Sequence, residues 1–183
     1  MSRAMFFGRF QPFHKGHLAV TKMILEENDE IVFMIGMSTE SHTPRNPFTA
    51  GERIEMIRRA LKWEGYSLDR VITVTLPTME VHVAAVYDVI HMSPKIDRVY
   101  IGNPIIARAF MECGFKVTIP KPVERERYNG TLIRELIAKG DPKWKELVPE
   151  PVSQFLEEIN ATERLRWIMC PTEVHTLAEQ KPY

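Results

Sequence analysis

The 183-residue chain has no long apolar run, no excess charge of either sign and almost no cysteine. Lys plus Arg and Asp plus Glu number 24 each, so the formal net charge is zero. A balanced chain lacks the overall field that draws nucleic acid or an anionic membrane, so neither partner is expected and any anion site must be local. Cys113 and Cys170 are the only two cysteines; they form neither a CxxC pair nor a zinc spacing, which fits a reducing, cytoplasmic setting and no protein-held metal. No apolar stretch approaches the roughly 20 residues that span a bilayer. Met1–Phe7 has one Arg and a short apolar run leading straight into a glycine, which is not the pattern of a signal peptide.

What is present fits one ordinary globular domain: 44% hydrophobic and 26% charged residues, in a chain long enough to bury a core without staples. No internal repeat, low-complexity stretch or linker interrupts it. Strand and helix patterns alternate. Ala4–Phe7, Ile31–Ile35, Val71–Leu76, Val99–Ile101 and Lys116–Ile119 read as strands, several of them ending at a glycine. Helices are expected over Leu18–Glu27, from Thr49 to Gly65, over Val81–His91, Pro104–Glu112, Gly130–Ala138 and Pro149–Ile159. Thr49 and Glu52 form a capping-box pattern, with Ile54, Ile57, Ala60 and Leu61 as the inner face of that helix. Alternation of this kind predicts a parallel sheet with helices on both faces, because parallel strands need crossover connections. Such sheets bind ligands outside the carboxyl ends of their strands. Residues 1–168 are expected to form the domain, with 169–183 as a tail; the segment from Thr162 onward reads as a frayed appendage.

The chemistry is concentrated in Gly8-Arg9-Phe10-Gln11-Pro12-Phe13-His14-Lys15-Gly16-His17, where the first strand meets the first helix. Gly8 frees the backbone at the strand exit, Pro12 stiffens the loop, and His14, Gly16 and His17 open the helix. Unpaired N–H groups and the helix dipole favour an anion there. Two imidazoles and the Arg9 guanidinium complete a phosphate cradle, with Gly16 allowing a nucleotide close to the backbone. A single histidine near a helix start is ordinarily a cap or a packed ring. Here strand, Gly, Arg, Pro and HxGH occur together in order. A second helix opens at Asn129-Gly130-Thr131, with Arg134 on the same side of its first turn as Thr131 and suited to bidentate phosphate contact.

GRFQPFHKGH resembles the GxFxPxHxGH signature of the HxGH nucleotidyltransferases, and NGTLIR is similar to their second signature, ISSTxxR. Together with His42–Arg53 and Glu158–Arg164, these motifs resemble the archaeal-type nicotinamide mononucleotide (NMN) adenylyltransferases over roughly residues 3–166. The resemblance implies a Rossmann-like, doubly wound α/β fold with C-terminal helices. It implies AMP transfer from ATP to NMN, with Mg²⁺ accompanying ATP and NAD and pyrophosphate as products. His14, His17 and Arg134 would be catalytic. Gly8, Arg9, Phe10, Gly16, Arg45, Gly102, Asn103, Arg127, Asn129, Gly130 and Thr131 would bind ATP, with Arg125 also flanking the triphosphate. Ser38, Glu80, His82 and Ala85 would face the acceptor. Many relatives are homo-oligomers, but no interface is marked in this sequence. His82 and Ala85 stand where the family pattern has Asn and Trp, and Asn129 where it has Ser. A flat ring loses an aromatic platform by that change, so Tyr87 substitutes for it or the acceptor is another mononucleotide, such as nicotinate mononucleotide or FMN. A nucleotide-binding regulator without turnover is the reading from a different class.

Overall fold

The computed structural model describes residues 1–77, 83–121 and 123–170, and the side chains among them except those of 83–85. Five parallel strands form one sheet: β1 (Arg3–Gly8), β2 (Glu30–Ile35), β3 (Val71–Thr75), β4 (Arg98–Ile101) and β5 (Val117–Thr118), in the order β3-β2-β1-β4-β5. Seven helices accompany them among the described residues: α1 (Lys15–Glu27), α2 (Ala50–Trp63), α3 (Val83–Met92), α4 (Pro104–Glu112), α5 (Gly130–Lys139), α6 (Glu150–Glu158) and α7 (Ala161–Met169).

Strand alternation sorts the core into two layers. Ala4, Phe6, Ile31, Phe33 and Ile35 face a larger cluster with α1, α2 and α5–α7. Met5, Phe7, Met34, Val99 and Ile101 face a smaller one with α3 and α4. Chain order reverses between β1 and β4, so the carboxyl ends of these central strands leave a crevice between diverging connections.

The expected strands and helices are found, with shifted ends. Helix α1 starts at Lys15 rather than Leu18, because His14 itself is the N-cap. Thr49 and Glu52 do close a capping box on α2. Its buried face, however, is Arg53, Met56, Ile57, Ala60 and Leu61, with Ile54 only half-buried. Strand β5 is only two residues long.

The frayed segment expected from Thr162 is corrected. Residues 161–169 form α7, which packs on α5 with Leu165 fully buried. Helix α6 packs on α2, and a 3-10 turn over Pro142–Leu147 buries Trp144. Arg164 of α7 bonds Glu52 in the α2 cap at 2.8 Å. No helix among the described residues is long and apolar enough to cross a membrane.

Candidate active site

The β1–α1 connection gathers the functional side chains. His14 Nδ1 accepts from the His17 N–H at 3.2 Å, and His17 Nδ1 accepts from the His14 N–H at 3.3 Å. The two rings stack, with centroids 3.6 Å apart. A backbone N–H can only donate, so each Nδ1 must be unprotonated and each neutral ring carries its hydrogen on Nε2. Both histidines line the cleft, and neither Nε2 has a hydrogen-bond partner among the described residues. Burial lowers the His14 pKa to about 4. It holds His17 well below its usual range, with the neighbouring His14 adding to the effect. Near pH 7 the pair is therefore two neutral N–H donors at the start of a helix.

These rings line a cleft of about 990 Å³ at the carboxyl ends of β1 and β4. Gly8, Arg9, His14, Gly16, His17, Arg45, Gly102 and Asn103 were expected at the site and are all in its wall; so is Arg125. Arg9 makes two long bonds from Nη1, to the Arg45 carbonyl and to Asn46 Oδ1, each 3.4 Å. Its pKa is lowered by burial and by Arg45 nearby, opposed by Glu40. Asn103 Oδ1 caps α4 by accepting from the Ile105 and Ile106 N–H groups.

Other expected residues stand behind the wall. The Phe10 ring is in the core against Phe6, Phe33 and His17, so only its backbone can face the cleft. Arg134 is buried, and its guanidinium is engaged within the protein. Nε donates to the Pro44 carbonyl (3.0 Å), Nη1 to the Gln11 carbonyl (2.8 Å) and Nη2 to Thr131 Oγ1 (3.2 Å). Burial lowers its pKa to about 10, with Arg9 contributing. The Thr131 N–H is taken by Asn129 Oδ1 at 2.9 Å and so is not free for phosphate. A Cβ on Gly130 would lie 3.1 Å from the Gln11 carbonyl oxygen, so this glycine lets α5 close on the β1–α1 loop.

Arg127 is exposed, lies over the Tyr128 ring and pairs with Glu124. The Ser38 N–H bonds the Leu76 carbonyl, tying the exits of β2 and β3, and the residue does not line the cleft. Tyr87 is exposed on α3 and is likewise outside the wall. Glu80 and His82 lie outside the described residues, as does the side chain of Ala85.

Two glycines of the β1–α1 connection make room for neighbouring side chains. Gly8 is needed because a Cβ would meet the Phe10 ring at 3.0 Å, not because its backbone is left-handed. A Cβ on Gly16 would lie 2.9 Å from Tyr128 Cβ and 3.1 Å from His14 Nδ1, so Gly16 also makes room for these two side chains.

Met37, Ile106, Ile119, Lys121, Val123 and Tyr128 also line the cleft and were not singled out from the sequence. Most come from loops, where no periodicity marks a side chain's direction. Arg53 was also missed, although its spacing from Ile57 and Leu61 places it on the inner face of α2. None of the described wall residues is Asp or Glu.

A parallel sheet reversing at β1/β4, with a paired-imidazole cradle at that point, defines a nucleotidyltransferase of the HxGH type. The chain belongs to the cytidylyltransferase-like family, whose model matches residues 5–136. It is 51% identical over 164 residues to an uncharacterized protein of Archaeoglobus fulgidus, covering 90% of this chain and 94% of that one. It is 47% identical over 169 residues to a nicotinamide-nucleotide adenylyltransferase of Saccharolobus solfataricus, covering 92% and 98%. Its fold is shared with a bifunctional NMN adenylyltransferase/ADP ribose pyrophosphatase of Francisella tularensis complexed with AMP and a Mn ion. That match has a TM-score of 0.70 at 21% identity and covers all of this chain but only 57% of the Francisella chain.

Proposed function

We propose that the protein transfers AMP from ATP to NMN, forming NAD and pyrophosphate. The observation that carries the transfer is the reciprocal His14–His17 cap, which fixes two neutral Nε2–H donors at a helix start in the cleft. The relatives named nicotinamide-nucleotide adenylyltransferase support the choice of acceptor. Mg²⁺ would accompany ATP and offset phosphate charge, and the described wall residues include no carboxylate to hold it.

An oxygen of the NMN phosphate attacks the α-phosphorus in line. The new P–O bond forms as the bond from the α-phosphorus to the α,β-bridging oxygen breaks, and that oxygen leaves on pyrophosphate. The attacking phosphate is already ionised near neutral pH, so no general base is needed. His17 donates its Nε2–H to the α-phosphate oxygens as charge gathers there, and His14 holds the neighbouring phosphates. Arg9 and Arg45 bind the β- and γ-phosphates, which fixes the leaving group in line. Gly102 and Asn103 form the adenosine side. Arg134 with Gly130, Thr131 and Asn129 supports the loop from behind, and Arg127 guides the triphosphate from outside. Ser38, Glu80, His82 and Ala85 form the acceptor side. The transferase domain extends through Met169, the last residue of α7, one residue beyond the expected boundary at 168, and the enzyme works in the cytoplasm.

The test supplies ATP and Mg²⁺ with NMN, nicotinate mononucleotide or FMN in turn, and follows pyrophosphate and the dinucleotide formed. NMN should give NAD at the highest kcat/KM, and H17A should lose at least about 100-fold in kcat with a smaller loss of ATP affinity. Turnover with another acceptor only would refute the NMN assignment; ATP binding without turnover would refute the transferase reading.

A further inference from the structure

Arg53 has no exposed surface and no carboxylate within salt-bridge distance among the described residues. Its guanidinium is spent entirely on main-chain carbonyls. Nε donates to Thr49 (3.1 Å), Nη1 to Gly36 (2.7 Å) and Arg9 (3.0 Å), and Nη2 to Met37 (3.0 Å). Burial lowers its pKa to about 10, with Arg9 nearby as the next cause, so the group stays charged near neutral pH. An interior cation without an anionic partner is costly, and such groups persist where the fork geometry itself is needed.

That geometry meets two unusual turns. Phe10 (φ 52°) and Met37 (φ 53°) are left-handed without being glycine. Such a residue is strained and must be held by its surroundings. Arg53 bonds the carbonyl of Met37 and that of Arg9, the residue directly before Phe10. The first turn aims Arg9 into the cleft, and Met37 itself lines it. Arg134 holds the far side of the first turn through the Gln11 carbonyl. Arg53 thus bonds main-chain carbonyls at the exits of both β1 (Arg9) and β2 (Gly36 and Met37).

We propose that Arg53 is a positioning residue for the phosphates of ATP: it acts through Arg9, by holding the Arg9 and Met37 turns in one register at the floor of the cleft. The inference rests on the adenylyl-transfer reading for the identity of the ligand. Lys keeps the charge but cannot reach carbonyls in several directions from one rigid fork, so R53K separates fork from charge. Misplacing a phosphate ligand by about 1 Å is worth up to about 100-fold in rate.

The experiment is a double-mutant cycle of R53K and R9A, with ATP binding measured by calorimetry and kcat and KM by pyrophosphate release. R53K should weaken ATP binding and lower kcat/KM for ATP by about 10-fold or more in the wild-type background, and by less than about twofold in R9A. Equal losses in both backgrounds would overturn the proposal, since a role in general stability does not depend on Arg9. If R53K gives no cooperative melt, R53M, which keeps the unbranched stem without the charge, takes its place in the same cycle. Failure of both to fold would make Arg53 a folding residue and also overturn it. A wild-type enzyme that binds ATP but turns over no acceptor would instead count against the transferase reading, leaving the binding arm of the cycle to judge Arg53.

Discussion

His14 and His17 combine two roles that a sequence presents as alternatives. Each ring is a helix cap and a packed ring, and with Nδ1 used in that capping each Nε2–H is left without a protein partner among the described residues. The same burial has a consequence for stability. The folded pKa of His14 lies near 4 against an ordinary 6.5, so the unfolded chain binds more protons between those values. The stability this gives is complete above about pH 6.5 and is lost as pH falls through the window, by about 2 kcal/mol from His14 alone at pH 5. Asn caps helices well and does not titrate. The melting temperature should therefore fall by several degrees less between pH 7 and pH 5 in H14N than in the wild type. Identical pH slopes would mean that the native state does not hold His14 neutral. The HxGH residues were legible because their types and order carry the chemistry. Arg53 was missed: its spacing with Ile57 and Leu61 marks the inner face of α2, but the carbonyls that its guanidinium meets come from turns distant in the chain.

Elements with a chemical start signal were read closely. Thr49 with Glu52, Asn103 before Pro104, and Asn129 before Gly130 each cap the helix expected there. Helix α7 has no such signal: its N-cap, Asn160, is left-handed and makes no side-chain cap bond. The helix is held by packing on α5, and a short helix of this kind gains most of its stability from tertiary contact. Leu165→Ala should accordingly cost about 2–5 kcal/mol in denaturant unfolding, because it opens a cavity between α7 and α5. An unchanged unfolding midpoint would restore the appendage reading. Through Arg164 and Glu52, α7 also braces the start of the helix that carries Arg53, so the C-terminal elements bear on the β1–α1 connection through that arginine.

The whole molecule carries no formal net charge, yet Arg9, Arg45, Lys121 and Arg125 converge on one cleft whose described lining residues include no carboxylate. Long-range attraction is then weak, and what remains acts within about a Debye length of the cleft. The KM for ATP should rise severalfold between about 0.05 M and about 0.5 M salt, and R125A should flatten that dependence. A flat wild-type profile would mean that these exposed cations do not meet the phosphates. The sequence by itself determined the alternation of strands and helices, the strand exit at which the site lies, and the pairing of HxGH with a second helix start. These depend on residue type, period and order along one stretch of chain. Only the tertiary structure decided that Arg134 and Arg53 face inward onto main-chain carbonyls, that Gly16 makes room for His14 and Tyr128, and that α7 belongs to the core. Each of these depends on which surfaces meet across distant parts of the chain, and local composition does not encode that meeting.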